Sequence, residues 1–148
     1  MTAEMNRITV SRVIAASAEM LFQAWTDPRK LAHWWRQAGD GWAFAGAAVD
    51  LRVGGAYRLA MTDPAGKRHV AFGQYVEIDR PVRLVFTWAW DDPTVRLGST
   101  TVTVEFRDRG SRGTEVVVTH DGFGGSTHVG RHQQGWTELL QLLERSLA

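Results

Sequence analysis

The feature that most constrains this chain is a long stretch, residues 47–120, in which apolar and polar side chains alternate with a period of two. This period is typical of β-strands that bury one face, because successive side chains point to opposite faces of a sheet. Turn sequences interrupt the alternation, notably Gly54-Gly55 and Asp63-Pro64-Ala65-Gly66. The pattern predicts six strands, at residues 47–51, 56–62, 69–78, 82–90, 99–107 and 114–120.

Upstream of this stretch, the sequence predicts one more strand and two short helices. Residues 7–14 are rich in β-branched side chains, which favour a strand. Ser17 is a suitable N-cap for a helix over residues 18–26, and Asp27-Pro28 is a typical start for a second helix. That second helix is expected to carry two adjacent indoles, Trp34 and Trp35.

The last part of the chain has helical periodicity. Its helix is predicted to open near Ser126 or Thr127, and its apolar stripe comprises Val129, His132, Trp136, Leu139, Leu140, Leu143 and Leu147. The predicted order is a strand, two short helices, six strands and one long helix. This order predicts an α+β fold, in which helices lie on one face of an antiparallel sheet of six to seven strands.

Composition excludes several classes of protein. The 148 residues suit a single domain over residues 1–148, and the absence of cysteine excludes disulfides, thiolate metal sites and a cysteine nucleophile. A net charge of +1 gives no basic footprint for nucleic acid. We find no apolar run long enough to span a membrane and no signal-peptide core, so a cytoplasmic location is expected.

The seven tryptophans suggest that the inner face of the sheet lines a cavity. A sheet of this width curls, and a single helix cannot cover its whole concave face, so space for a small ligand can remain between them. The alternative is that the same side chains simply fill the core, since each aromatic residue buries a large area. The candidate ligand-binding residues are Trp35, Tyr57, Met61, Phe72, Phe86, Trp88, His120, His132 and Trp136.

The histidines and serines give little support for metal binding or nucleophilic catalysis. His128 and His132 have the i, i+4 spacing of two zinc ligands, but no HExxH pattern or second pair completes such a site. No G-x-S-x-G elbow is present. We therefore predict no metal, no cofactor and no catalytic residue, and expect His132 to lie at the mouth of the pocket.

Several motifs together resemble one known family over nearly the whole chain, about residues 7–147. They include Ala24-Trp25-Thr26-Asp27-Pro28 followed by Trp34-Trp35, then residues 50–58, 73–78, 83–88, 101–106 and 119–123, and finally Gly135-Trp136. In these motifs the chain resembles the heat-shock-protein-90 ATPase activator homologue-like family of the START/SRPBCC superfamily, whose folds are similar to the birch pollen allergen. Two departures are Arg36-Gln37, where the family often has Gly-Pro, and Val53, where proline is common.

The resemblance implies a helix-grip fold, with a curved antiparallel sheet wrapped around a long C-terminal helix and a cavity between them. It also implies a small-molecule or lipid binder. The chaperone activity in the family name belongs to a longer co-chaperone with an additional domain, so we do not transfer it to this chain.

Three functional hypotheses follow. The leading one is a non-enzymatic protein that binds a hydrophobic or aromatic small molecule or lipid, as a monomer or homodimer, with no nucleic acid partner and no membrane span. The second is a cyclase- or dehydratase-like enzyme that uses His132 or His120 as acid and base, and the third is a module that regulates a chaperone or another protein partner. We expect Trp35, Trp88 and Trp136 to converge between the sheet and the final helix, and whether space remains among them decides between a filled core and a pocket.

Overall fold

The computed structural model describes residues 7–92, 100–123 and 129–147. These residues form three α-helices: α1 (Ala18–Thr26), α2 (Pro28–Leu31) and α3 (Val129–Ser146). The same residues form seven strands: β1 (Arg7–Ile14), β2 (Ala43–Val49), β3 (Ala56–Thr62), β4 (Arg68–Asp79), β5 (Arg83–Trp90), β6 (Thr100–Asp108) and β7 (Thr114–Asp121). Among the described residues, no helix is long and apolar enough to cross a bilayer.

The strands form one antiparallel sheet in the order β1-β7-β6-β5-β4-β3-β2. Strands β2 to β7 are sequence neighbours joined as a meander, and β1 pairs with β7 at the far edge, with Arg7 opposite Asp121 and Ile14 opposite Thr114. The order of elements and the antiparallel pairing confirm the α+β helix-grip fold expected from the sequence. The two short helices follow β1, as predicted, but α2 ends at Leu31, so Trp34 and Trp35 lie after this helix and not on it.

Local sequence explains how α1 and α2 begin. The Ser17 side chain accepts a hydrogen bond from the Met20 backbone N–H at 3.1 Å, and the Asp27 side chain accepts one from the Arg29 N–H at 2.9 Å. Both caps satisfy amide groups that have no partner within the helix. Pro28 occupies the first turn of α2, where its missing N–H costs nothing.

The second strand lies elsewhere than predicted. It spans Ala43–Val49, whereas alternation places a strand at residues 47–51. Gly46 has a φ of +124° and interrupts the register between β2 and β3, which conceals the strand's first half from a pattern of period two. Beyond its end, the backbone N–H of Gly55 bonds the Arg52 carbonyl at 2.8 Å, so this segment is a turn.

The face of β4 that meets the core is also different from the prediction. Apolar side chains occur at both odd- and even-numbered positions of β4. In the structure Ala71 and Tyr75 point inward, while Phe72 and Val76 are exposed. Phe72 pairs with Arg58 of β3, and the Arg58 guanidinium lies 5.9 Å from the centre of the Phe72 ring. The prediction that Phe72 lines the cavity is therefore wrong.

Helix α3 packs its apolar stripe on the concave side of the sheet. The buried residues of the helix are Trp136, Leu139, Leu140, Leu142 and Leu143. The predicted helix start at residues 126–127 lies outside the described residues. At the other end, the Arg12 guanidinium of β1 is 2.7 Å from the Glu144 carboxylate, which joins the edge strand to the last turns of the helix.

Candidate functional site

A cleft of about 360 Å³ lies between α3, strands β3 to β5 and the chain that leads from α2 to β2. The chain from α2 to β2 contributes Trp35 and Trp42, and β5 contributes Trp88 and Trp90. Helix α3 forms another wall of the cleft with His132, Gly135, Trp136 and Leu139. Charged and polar side chains also border the cleft, among them Arg36, Gln37, His69, Asp92, Arg131 and Glu138.

Three indoles form the floor of this cleft. The ring centres of Trp35, Trp88 and Trp136 lie 5.9, 6.2 and 5.2 Å apart, so the three residues converge between sheet and helix. Each is at most 2% exposed. Rings packed at these distances leave no room for a molecule among them, so these tryptophans belong to the core and a ligand can only lie above them.

The side walls of the cleft are two tryptophans that sequence analysis did not assign to it. Trp42 and Trp90 are both partly buried and border the cleft. Trp90 follows Trp88 at the end of β5, and the two rings stand almost perpendicular at an interplanar angle of 85°. Only alternation along β5 could have indicated Trp90, and no local pattern indicates Trp42, which precedes the displaced strand β2.

Two other candidate residues lie within the core and away from the cleft. Tyr57 and Phe86 pack against each other with ring centres 5.2 Å apart, and Tyr75 completes the cluster at 5.6 Å from Tyr57. The Tyr57 hydroxyl donates a hydrogen bond of 2.6 Å to the Thr87 carbonyl, and burial raises its pKa well above the usual value. Met61, by contrast, borders the cleft as expected.

His120 is completely buried behind the floor of the cleft and does not border it. Its Nδ1 accepts a hydrogen bond from the Trp136 indole N–H at 3.1 Å, and its Nε2 lies 2.7 Å from the Thr100 hydroxyl. The Thr100 hydroxyl donates its hydrogen to the Trp88 carbonyl at 3.0 Å. His120 Nε2 must therefore be the donor to Thr100, which assigns the proton of the neutral ring to Nε2.

Burial, with a smaller contribution from the nearby His132, lowers the pKa of His120 to about 3. With both nitrogens bonded and the charged form disfavoured, His120 holds Trp136 and Thr100 in place. Because His120 is fully buried and does not border the cleft, its predicted place in the cavity is wrong.

His132 does border the cleft, and its ring is oriented by a wall residue. The Trp90 indole N–H donates a hydrogen bond of 2.9 Å to His132 Nε2. Because a donor points at it, Nε2 must carry a lone pair, and the ring is neutral with its hydrogen on Nδ1. The Trp90 wall and the α3 wall are thereby joined.

The buried indole N–H groups do not supply a ligand with donors. Among the described residues, Trp25, Trp35 and Trp88 have indole nitrogens that are sealed from solvent and lack a hydrogen-bond partner. Because these nitrogens are not accessible from the cleft, orientation of a ligand must come from groups at its border. Trp90 and Trp136 already donate to the two imidazoles.

The border also includes a histidine that sequence analysis overlooked. His69, near the start of β4, borders the cleft with its ring centre 5.4 Å from that of Trp42. Its Nε2 lies 3.0 Å from Asp63 Oδ2. The turn motif around Asp63 was visible in the sequence, but nothing local indicated that its carboxylate would meet a histidine on the next strand.

Metal ligands are not clustered here. Within residues 7–92, 100–123 and 129–147, no group of three or more His, Asp or Glu side chains is placed to hold a metal ion. The proposed partner of His132, His128, lies outside those residues.

Comparisons with known proteins place these observations in a family. Among solved structures, a protein of Chromobacterium violaceum is 28% identical with a TM-score of 0.84, over 95% of each chain. An AHSA1 protein of Silicibacter pomeroyi is 27% identical with a TM-score of 0.81, over 95% of this chain and 96% of that one. An AHSA1-like protein of Aeromonas hydrophila is 28% identical with a TM-score of 0.77, over 95% and 91%.

A comparison with curated protein sequences finds no match. A family model described as "Activator of Hsp90 ATPase homolog 1-like protein" matches residues 15–148, which includes both short helices, strands β2 to β7 and the whole of α3. The match covers the two departures noted above, so neither the Arg36-Gln37 pair nor Val53 removes the chain from the family. This chain therefore belongs to the Activator of Hsp90 ATPase homolog 1-like family, which is of the SRPBCC type.

Proposed function

We propose that this protein binds a small apolar or aromatic molecule, or a lipid, in the tryptophan-walled cleft between the sheet and α3. The observation that carries the proposal is the space itself. A volume of about 360 Å³ remains open beside Trp42 and Trp90. The fold is commonly used as a scaffold for ligands, which supports the same conclusion.

The chemistry of the cleft matches this class of ligand. Known small-molecule sites are concave and mostly apolar, with volumes of roughly 300–1,000 Å³ and a few polar groups for orientation. The floor and walls here are aromatic, and the partly exposed indoles of Trp42 and Trp90 offer flat apolar surfaces. Stacking on such surfaces favours planar rings.

Gly135 keeps part of the cleft open. It lies in the middle of α3, where glycine costs about 1 kcal/mol relative to alanine. A Cβ added to Gly135 would meet no atom within 4 Å, so the space in front of it belongs to the cleft and not to a tightly packed neighbour. A side chain at this position would occupy the site of the ligand.

Binding in the cleft can be tested with the neutral fluorophore N-phenyl-1-naphthylamine, whose emission rises in apolar surroundings. The wild-type protein is expected to bind it saturably, and Gly135→Leu is expected to weaken binding at least about tenfold by filling the cleft. Gly130→Leu is the matched control. Gly130 is exposed on the same helix, does not border the cleft, and its added Cβ would also meet nothing within 4 Å.

Near-UV circular dichroism of both variants would establish that they remain folded. If the wild type does not bind the fluorophore, or if the two leucine variants bind it equally, the cleft is not the binding site.

A further inference from the structure

A carboxylate–imidazole pair stands at the border of the cleft, where the turn between β3 and β4 meets the start of β4. Asp63 Oδ2 is 3.0 Å from His69 Nε2. The other oxygen, Oδ1, accepts the backbone N–H groups of Ala65 and Lys67, each at 2.9 Å. The carboxylate is thus held by its own turn and presents one oxygen to the imidazole.

This arrangement determines which ring nitrogen of His69 carries the hydrogen. The hydrogen bond from His69, together with the two backbone hydrogen bonds, lowers the pKa of Asp63, so the carboxylate is ionised at neutral pH and can only accept. Nε2 must then be the donor. In the neutral imidazole the second nitrogen, Nδ1, is left with a lone pair and acts as an acceptor.

Nδ1 of His69 is also available. It has no hydrogen-bond partner among the described residues, and it is not one of the sealed polar atoms of the core. The other two histidines near the cleft differ, because His120 is bonded at both nitrogens and Nε2 of His132 is taken by Trp90. The ring of His69 is tilted by 39° to that of Trp42, and both residues border the cleft.

We propose that His69 Nδ1, oriented by Asp63, is the polar recognition group of the cleft and accepts a hydrogen bond from an O–H or N–H group of an aromatic ligand. The ligand class is then narrower than apolar molecules in general: it is an aromatic ring that carries a hydrogen-bond donor at its edge. This inference rests on the proposed function, because it requires that the cleft binds a ligand.

Two probes of nearly the same shape distinguish the contribution of the ligand's hydrogen-bond donor from that of its aromatic ring. 2-Naphthol carries an O–H group, and 2-methoxynaphthalene has the same ring and oxygen without the donor. By equilibrium dialysis at pH 8, where an imidazole side chain in water is neutral, the wild type is expected to bind 2-naphthol about three- to tenfold more tightly. His69→Phe keeps a ring beside Trp42 but removes the acceptor, and the preference should disappear.

Asp63→Asn tests whether the carboxylate determines the tautomer of His69. The asparagine Oδ1 can still accept the two backbone N–H groups of the turn, while its NH₂ group now donates to His69 Nε2. The hydrogen of the imidazole would move to Nδ1, which becomes a donor, as happens when the orienting carboxylate of a catalytic triad is changed to an amide. The preference for 2-naphthol should then be lost or reversed. His33→Phe, at an exposed histidine that does not border the cleft, should leave it unchanged.

The tautomer can be read independently by two-bond ¹⁵N–¹H correlation spectra of the imidazole. The wild type is expected to show His69 protonated at Nε2, and Asp63→Asn at Nδ1. An Nδ1–H tautomer in the wild type would overturn the inference, as would equal affinity for the two probes in all four proteins. If the wild type binds neither probe, it is the proposed function that fails, and the inference fails with it.

Discussion

At the scale of single residues, His120 shows what a buried polar group contributes to this core. Its imidazole connects α3 to β6 through Trp136 and Thr100, and each hydrogen bond satisfies a group that water cannot reach. The charged ring would have two donors, so it would repel the indole N–H of Trp136 as well as losing its hydration. The folded protein therefore holds this histidine neutral, in accord with its lowered pKa.

The sign of the resulting pH dependence follows from the two states. In the unfolded chain the pKa of His120 is near 6.5, as for an imidazole in water, and burial lowers it to about 3 in the folded protein. Between those values the unfolded chain binds a proton that the folded protein does not, so the free energy of unfolding is largest above pH 6.5 and falls as the pH decreases.

We therefore expect acidification from pH 7 to pH 5 to cost the wild type about 2 kcal/mol of unfolding free energy more than it costs His120→Gln. Urea titrations of both proteins at the two pH values measure the difference. Any constant destabilisation by the substitution cancels, because only the change with pH is compared. Equal pH dependence in the two proteins would show that His120 is not held neutral by the fold.

At the scale of elements, the contact between β4 and β5 depends on a glycine. A Cβ added to Gly73 would lie 2.1 Å from the Thr87 carbonyl oxygen, which is far inside van der Waals contact with rigid backbone. The same carbonyl accepts the Tyr57 hydroxyl, and the Thr87 side chain accepts the Gln74 backbone N–H at 2.9 Å. The strands approach closely here, next to the register shift of β4.

Gly73→Ala is accordingly expected to destabilise the protein by about 3 kcal/mol or more, because the strands must separate to admit a methyl group. Gly135→Ala is the matched comparison and should stabilise α3 by about 0.5–1 kcal/mol, since its Cβ meets nothing and alanine is the better helix former. Urea midpoints at neutral pH would measure both. A Gly73→Ala protein as stable as the wild type would contradict the close approach of β4 and β5, and a destabilised Gly135→Ala would contradict the open space in front of Gly135.

At the scale of the whole molecule, α3 both closes the core and forms one wall of the cleft. Leu143 is fully buried, and Leu140 is 1% exposed. Their burial attaches the helix to the sheet over the same face on which Trp136 meets Trp35 and Trp88. The integrity of the cleft is therefore tied to the stability of the whole domain, because the cleft loses the wall that α3 forms if the helix detaches.

For Leu143→Ala we expect the free energy of unfolding to fall by about 2–5 kcal/mol, as for other buried leucines. Leu147→Ala, at a half-buried residue just after the end of the helix, should cost less. Unfolding followed by tryptophan fluorescence and by far-UV circular dichroism should give coincident transitions in the wild type. A fluorescence change that precedes the loss of secondary structure would show that α3 detaches by itself.

The period of the apolar side chains, the turn sequences and the cap residues predicted most of the fold, because each depends only on residues close together in the sequence. Alternation identified β3, β5 and β7 to within a residue at their starts or ends, and Ser17 and Asp27 marked the two short helices. The prediction failed for the bounds of β2 and for the inward face of β4, where Gly46 and a bulge after Tyr75 change the register. A bulge shifts every later side chain to the other face, and neighbouring strands, not local sequence, decide where it lies.

The amino-acid sequence by itself therefore determined the α+β class, the family and the convergence of Trp35, Trp88 and Trp136, because periodicity and motif order are properties of the chain. Only the tertiary structure decided that those indoles form the floor of the cleft and not its side walls. It also decided that Trp42 and Trp90 flank the remaining space and that Asp63 orients His69. These facts depend on distances between residues that are remote in sequence or lie on different elements. Such distances follow from sheet curvature and helix docking, which no local pattern encodes.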